Sequence, residues 1–68
     1  MSAHTVQKKM ALQMLILQKS GKNTERDINV MILSLPKPLK NLVKQEFDRM
    51  SNMSLEDLEI EFSKFFQQ

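Results

Sequence analysis

The stretch INVMILSLP, residues 28–36, decides the fold of this chain of 68 residues. Its apolar side chains recur with the i, i+3, i+4, i+7 spacing of one helical face, at Ile28, Met31, Ile32 and Leu35. The stretch is also rich in β-branched residues and includes four consecutive apolar positions, as a strand buried on both faces does. The spacing predicts a helix over residues 25–35, and the alternative is a strand over residues 28–35.

Capping and helix-breaking residues set the ends of this element. Thr24 can accept a hydrogen bond from the backbone N–H near Asp27, which is how a threonine caps the start of a helix. Pro36 and Pro38 end the element, because proline lacks an N–H and clashes with the preceding turn. Either proline can occupy the first turn of a third helix, predicted over residues 38–50. The apolar face of that helix comprises Leu39, Val43, Phe47 and Met50.

Two further helices flank these elements. Residues 5–19 are apolar around most of their second half, as in a helix buried on several sides, and Gly21 can end that helix in the left-handed conformation. Residues 55–66 open at the capping residue Ser54 and carry three of the four phenylalanines on a narrow apolar stripe. We therefore expect an all-α fold, a compact bundle of about four short helices, in a single small domain spanning 1–68.

The small size of this domain argues for a partner. Natural domains of this length bury a marginal core and usually add a disulfide, a metal or another subunit. The chain has no cysteine and a single histidine, His4, so we expect neither a metal site nor another cofactor. A homodimer, or assembly with a protein partner, is the expected source of additional burial.

The reactive side chains that an enzyme needs are scarce. Cysteine, tyrosine and tryptophan do not occur, and there is one histidine and one glycine. A nucleophile–base pair or a glycine-rich phosphate loop therefore has few candidates. A typical ligand pocket would also consume most of so small a core. We expect no enzymatic activity, no catalytic residue and no small-molecule substrate.

The first and last helices are the expected protein-binding elements. An amphipathic helix can lie in a partner's groove, and flexible methionine side chains suit adaptable interfaces. The expected partner-binding residues are Met10, Met14 and Leu15 of the first helix, and Leu58, Phe62, Phe65 and Phe66 of the last. The opposing interpretation, that such side chains fill the domain's own core, is favoured for the last helix and for the methionines.

Charge is distributed unevenly along the chain. Residues 1–44 carry eight Lys or Arg against two acids, a net charge of +6, and residues 45–68 carry two against six, a net charge of −4. Such asymmetry is typical of nucleic-acid contact or of complementary self-association, although a solvated face is the simpler explanation. Nucleic acid is the alternative partner, and it would bind through basic residues within the range 19–44. Those residues are Lys37, Lys40, Lys44, Arg26 and Lys22.

From residue 28 to residue 66 the chain resembles the ribbon-helix-helix family of dimeric DNA-binding regulators. The segments INVMILSLP, KPLKNLVKQEFDRM, SNMS and LEDLEIEFSKFF follow its order of a strand ending in Leu-Pro, a helix, a turn and a second helix opening at a serine. The resemblance implies a phosphate clamp near Ser54 and a strand that faces the DNA major groove with Val30, Ile32 and Ser34. Two of those three residues are apolar. Residues 31–42 also resemble the first helix of the BESS interaction motif of insect transcription proteins.

The leading functional hypothesis is a non-catalytic regulatory protein that acts by helix-mediated protein–protein binding, with transcription control as a candidate setting. The alternative is a DNA-binding transcriptional repressor of the ribbon-helix-helix type. We expect no membrane contact, because no stretch approaches the roughly 20 apolar residues of a membrane span. The expected location is the cytoplasm, or the nucleus in a eukaryote, and the absence of cysteine fits such a reducing compartment.

Overall fold

The computed structural model describes residues 3–66, with side chains from residue 6 to residue 65. It contains four α-helices followed by a short 3-10 turn. The elements are α1 (Ala3–Lys19), α2 (Glu25–Leu33), α3 (Lys37–Met50), α4 (Leu55–Ser63) and the 3-10 turn Lys64–Phe66. No strand occurs among the described residues, so the all-α prediction with four helices is confirmed.

The alternative of a strand over residues 28–35 is wrong, because most of this stretch belongs to α2. A reciprocal capping box starts the helix: the Asp27 N–H donates to Thr24 Oγ1 at 3.1 Å, and the Thr24 N–H donates to Asp27 Oδ2 at 3.3 Å. Such a box satisfies backbone donors that a helix start otherwise leaves without partners. The helical spacing then places Ile28 and Ile32 together in the interior, at 0% and 6% exposure.

The residues that the ribbon-helix-helix resemblance places on a DNA-reading strand therefore do not form one surface. Ile32 is buried, whereas Val30 and Ser34 are exposed. Residues two positions apart lie on the same face of a strand but on nearly opposite sides of a helix. The structure therefore lacks, among its described residues, the strand that would enter the DNA major groove in the ribbon-helix-helix mode of binding.

Helix α2 ends two residues before the predicted boundary at Leu35. The Leu35 N–H donates to the carbonyl of Ile32 at 3.2 Å, in the tighter three-residue pattern common at helix ends. Pro36 explains the early end, because a residue before proline is driven away from the helical conformation. Helix α3 begins one residue before Pro38, whose missing N–H has no intrahelical partner to lose in the first turn.

Helix α1 lies at the centre of the fold, as its apolar surface predicted. It packs against both α3 and α4, and α2 lies against α1 and α3. Ala11, Leu12 and Leu15 are at most 2% exposed. Helices α2, α3 and α4 complete the interior with Ile28, Ile32, Val43, Met50 and Leu58. Within the described residues, no helix is long and apolar enough to cross a membrane.

Gly21 ends α1 as predicted, in the left-handed conformation with φ of +82°. The Lys22 N–H donates to the Leu17 carbonyl at 3.0 Å, and the Gly21 N–H donates to the Gln18 carbonyl at 3.1 Å. These two bonds are those of a Schellman motif, which satisfies the last carbonyls of the helix. The motif reverses the chain and delivers α2 onto the flank of α1.

The turn between α3 and α4 is held by Lys19 of α1. Its ammonium Nζ donates to the carbonyl oxygens of Ser51 at 2.8 Å and of Met53 at 2.6 Å. A cation there also suits the negative end of the α3 dipole. Ser54 Oγ then accepts from the Asp57 N–H at 3.1 Å and caps α4 as predicted.

The bundle is flat, with Cα extents of 30 × 29 × 17 Å. Two packed helix layers, with axes about 8–10 Å apart, occupy roughly 13–15 Å between their outermost Cα atoms. The thickness therefore corresponds to two layers, and most helices have one face on the surface. Several large apolar side chains remain exposed for this reason, namely Val6, Val30, Leu33, Leu42 and Ile60.

Candidate protein-binding surfaces

A groove of about 410 Å³ runs between α2 and α3. It exists because the turn at Pro36 sends α3 back alongside the short helix α2. Its apolar lining comes from Ile32, Leu33 and Phe47. Its polar lining comes from Asn29 of α2 and from Lys40, Asn41, Lys44 and Asp48 of α3. We call this surface, lined by these eight residues, the α2–α3 groove.

Helix α2 has two exposed apolar side chains, one of which lines the α2–α3 groove. Leu33 is 68% exposed, and Val30, one turn earlier on α2, is 59% exposed. Both lie outside the set of α2 side chains that faces the core. Single exposed apolar residues are ordinary on a protein surface, but apolar side chains grouped beside a groove are typical of an interaction site.

Two lysines line the α3 wall of the groove. Lys40 and Lys44 are four residues apart and thus about 6 Å apart along the helix axis. Neither makes an ion pair with another residue in the described part of the chain. Asp48 follows one turn later, so the wall carries two positive charges and one negative charge. The groove therefore has an apolar centre with a predominantly basic margin.

The structure brings together only part of the predicted nucleic-acid-binding set. Lys40 and Lys44 share the groove wall, whereas Lys37, Lys22 and Arg26 lie outside it. Lys22 belongs to the turn after α1, and Arg26 lies in the first turn of α2. All three are exposed. Helical spacing groups Lys37, Lys40 and Lys44 on one side of α3, as the sequence indicated. Lys22 and Arg26 were added for their charge, and the fold places them on other elements.

The predicted partner-binding residues of α1 lie mostly in the interior. Leu15 and Met14 are 2% and 6% exposed, and Met10 is partly buried against the core. Met10 and Met14 also line a second depression, of about 330 Å³, between α1 and α2. Met31, Gln13, Ser34 and Leu35 complete its lining.

The predicted partner-binding residues of the last helix also face inward. Leu58 is fully buried, and Phe62 and Phe65 are partly buried against the core. The side chain of Phe66 lies outside the described residues. Variants such as Leu15→Asp and Phe62→Asp would place a charge in or beside the core and would damage the fold. They cannot report on an interface, and exposed positions are needed instead.

The outward side of α4 is a surface that the predicted site did not include. It is lined by Leu55, Glu56, Glu59, Ile60 and Ser63, and Ile60 is 51% exposed. The sequence did carry a signal for it, because Ile60 falls outside the apolar stripe that faces the core. We call this set of five residues the outer face of α4.

The acidic residue Glu61 has a structural role between α1 and α4. Its carboxylate accepts a hydrogen bond from Lys64 Nζ at 2.8 Å and lies 3.6 Å from Lys8 Nζ of α1. The hydrogen bond and charge of Lys64, with a smaller contribution from Lys8, hold the pKa of Glu61 below its ordinary value. Buried Glu46 is similarly paired with Arg49 on its own helix. No group of three or more metal-ligating His, Cys, Asp or Glu side chains occurs among the described residues.

Comparisons with known proteins give no match: no family model, no curated protein and no solved structure is significantly similar to this chain. The function must therefore be argued from the surfaces described above. Of these, the α2–α3 groove combines the largest apolar exposure with unpaired charge.

Proposed function

We propose that this protein is a non-catalytic, regulatory protein-binding module, and that its α2–α3 groove receives an acidic amphipathic helix. The observation that carries the proposal is the position of Leu33. This side chain is 68% exposed at the edge of an apolar groove whose opposite wall carries Lys40 and Lys44. Binding an amphipathic helix in such a groove is a common mode of protein recognition.

The apolar lining supplies the driving force in this proposal. Fully burying a leucine is worth about 1.5–3 kcal/mol relative to leaving it in water. Covering the exposed two-thirds of Leu33 would thus contribute roughly 1–2 kcal/mol, by the same relation between buried area and free energy. Phe47, which is partly buried, and the small exposed part of Ile32 extend the apolar contact along the groove. A partner helix with leucine or isoleucine at i and i+3 or i+4 fits this arrangement.

The lysines supply selectivity. Lys40 and Lys44 lie one helical turn apart, which matches glutamates three or four positions apart on a partner helix. Exposed charges of this kind speed association and select partners more than they raise affinity. Asn29 and Asn41 offer hydrogen-bonding groups at the margin. A basic helix would meet a wall with a net positive charge and would be disfavoured.

A protein partner fits this groove better than a nucleic acid does. Nucleic-acid affinity comes mainly from many lysine or arginine contacts to phosphates. The groove wall offers two lysines and places the carboxylate of Asp48 beside them. An exposed leucine between α2 and α3 has no function in a phosphate contact. Duplex DNA is therefore a comparison ligand in the test.

The proposal is tested by calorimetric titration with a synthetic amphipathic peptide of about four helical turns, or roughly 14 residues. The peptide carries leucines at helical spacing and glutamates beside them. The wild-type chain should bind it, and Leu33→Asp should weaken binding at least tenfold. Val6→Asp is the matched control, because Val6 is an exposed apolar residue of α1 at 41% exposure. Equal affinity of both variants would refute the proposal, as would preferential binding of duplex DNA.

A further inference from the structure

The outer face of α4 has the properties that the α2–α3 groove requires of its ligand. Ile60 lies at its centre with 51% of its surface exposed, flanked by Glu56 and Glu59. Neither glutamate makes an ion pair with another described residue. The two glutamates are separated by about 4.5 Å along the helix axis. The surface is thus an acidic amphipathic helix face with an exposed apolar centre.

The two surfaces also agree in length. Helix α4 has 9 residues and is therefore about 13.5 Å long. The α3 wall of the groove, from Lys40 to Asp48, rises about 12 Å. Charge, apolar content and length therefore match together.

We infer that the groove of one copy binds the outer face of α4 of a second copy, so that the protein self-associates head to tail. This inference rests on the proposed function of the groove and names the occupant. Helix α4 packs on α1, whereas the groove lies between α2 and α3, so the two surfaces are built by different helix pairs. The contact joins unlike surfaces of two copies, so after it forms one copy still has a free α4 face and the other a free groove, and both can make further contacts.

Self-association of this kind regulates access to the groove. A partner helix must displace the α4 face of a neighbouring copy before it can bind. Occupancy by a partner then depends on the concentration of the chain itself. Because exposed charges contribute to the contact, association should weaken as salt rises.

A charge swap tests the inference. One variant carries Lys40→Glu and Lys44→Glu, and the other carries Glu56→Lys and Glu59→Lys. None of the four wild-type side chains is buried, and thermal unfolding followed by circular dichroism establishes that each variant folds. In a solution of either variant alone, the groove of one copy and the α4 face of another have charge of the same sign and repel each other. In an equimolar mixture, a wild-type groove meets a wild-type α4 face, and a reversed groove meets a reversed α4 face.

Sedimentation velocity over a series of concentrations and salt levels measures the outcome. The wild-type chain should associate reversibly, each variant alone should associate at least tenfold more weakly, and the mixture should regain wild-type association. Monomeric behaviour of the wild type at millimolar concentration would overturn the inference. So would undiminished association of either single variant, because the contact would then lie elsewhere. Peptide binding without self-association would remove the second copy as occupant but leave the proposed function intact.

Discussion

Helices α2 and α4 have the same length and the same kind of N-cap, but one has an exposed leucine and the other a buried one. Each has 9 residues and is preceded by an N-capping residue, Thr24 or Ser54. Leu58 of α4 is fully buried, whereas Leu33 of α2 is 68% exposed. Leu58 packs in the core that α1 organises, while Leu33 lies over the groove between α2 and α3. The two side chains are equally apolar. Their position relative to α1 decides which one lies in the core and which one lies on the candidate binding surface.

The largest expected difference in stability is between truncation of Leu58 and truncation of Leu33. Leu58→Ala should destabilise the domain by about 2–5 kcal/mol, because the surroundings only partly fill the space left in a core. Domains of this length have a total stability of roughly 3–10 kcal/mol. Leu33→Ala should change stability by no more than about 0.5 kcal/mol, as surface substitutions usually do. Urea unfolding of both variants measures the contrast, and equal losses would show that Leu33 belongs to the core.

An intermediate effect comes from removing the caps, one in each region. Thr24→Ala and Ser54→Ala each remove a side-chain acceptor and should cost about 1 kcal/mol. Because α2 forms one wall of the groove, Thr24→Ala should also weaken binding of the acidic peptide, whereas Ser54→Ala should not. Urea unfolding measures the stability of each variant, and calorimetric titration measures its affinity for the acidic peptide. Equal peptide affinities of the two variants would contradict the assignment of α2 to the binding surface.

The smallest expected effect is a pH dependence of stability that comes from Glu61, between α1 and α4. The pKa of Glu61 is lowered in the folded state by Lys64, so its contribution to stability is present above its unfolded pKa. That contribution is lost as the pH falls through the folded pKa. The stability difference between the wild type and Glu61→Gln should therefore narrow from pH 7 to pH 3. Unfolding midpoints at both pH values test this, and a constant difference would remove the role of the carboxylate charge.

Most of the fold could be predicted from the sequence, because helical spacing and capping residues indicate where each helix begins and ends. The predicted helix boundaries lie within a few residues of those observed, and Thr24, Gly21 and Ser54 have their predicted roles. These features depend on neighbours within one helical turn. The ambiguity at residues 28–35 arose because an apolar β-branched run fits a buried strand as well as a helix, and the cap at Thr24 favours the helix without excluding the strand.

The candidate binding surface depends on tertiary structure, so only part of it could be predicted from the sequence. Lys40 and Lys44 were singled out by charge, but the sequence assigned Phe47 to the core-facing side of its helix and did not single out Leu33. Their convergence requires α2 and α3 to pack side by side. Leu15 and Leu58 were expected at a partner interface, and the structure places both in the interior of the chain itself. Apolar spacing alone cannot distinguish a side chain buried by its own domain from one buried by a partner.

Backbone amide chemical shifts, recorded during titration with the acidic amphipathic peptide, test the central assignment most directly. If the α2–α3 groove is the binding surface, saturable shifts should concentrate at residues 29–33 and 40–48, with little change along α1. They should be absent in Leu33→Asp and retained in Val6→Asp. Shifts concentrated instead on α1 and around Phe62 and Phe65, with the groove unchanged, would contradict this assignment and return the first and last helices to the role of binding surface.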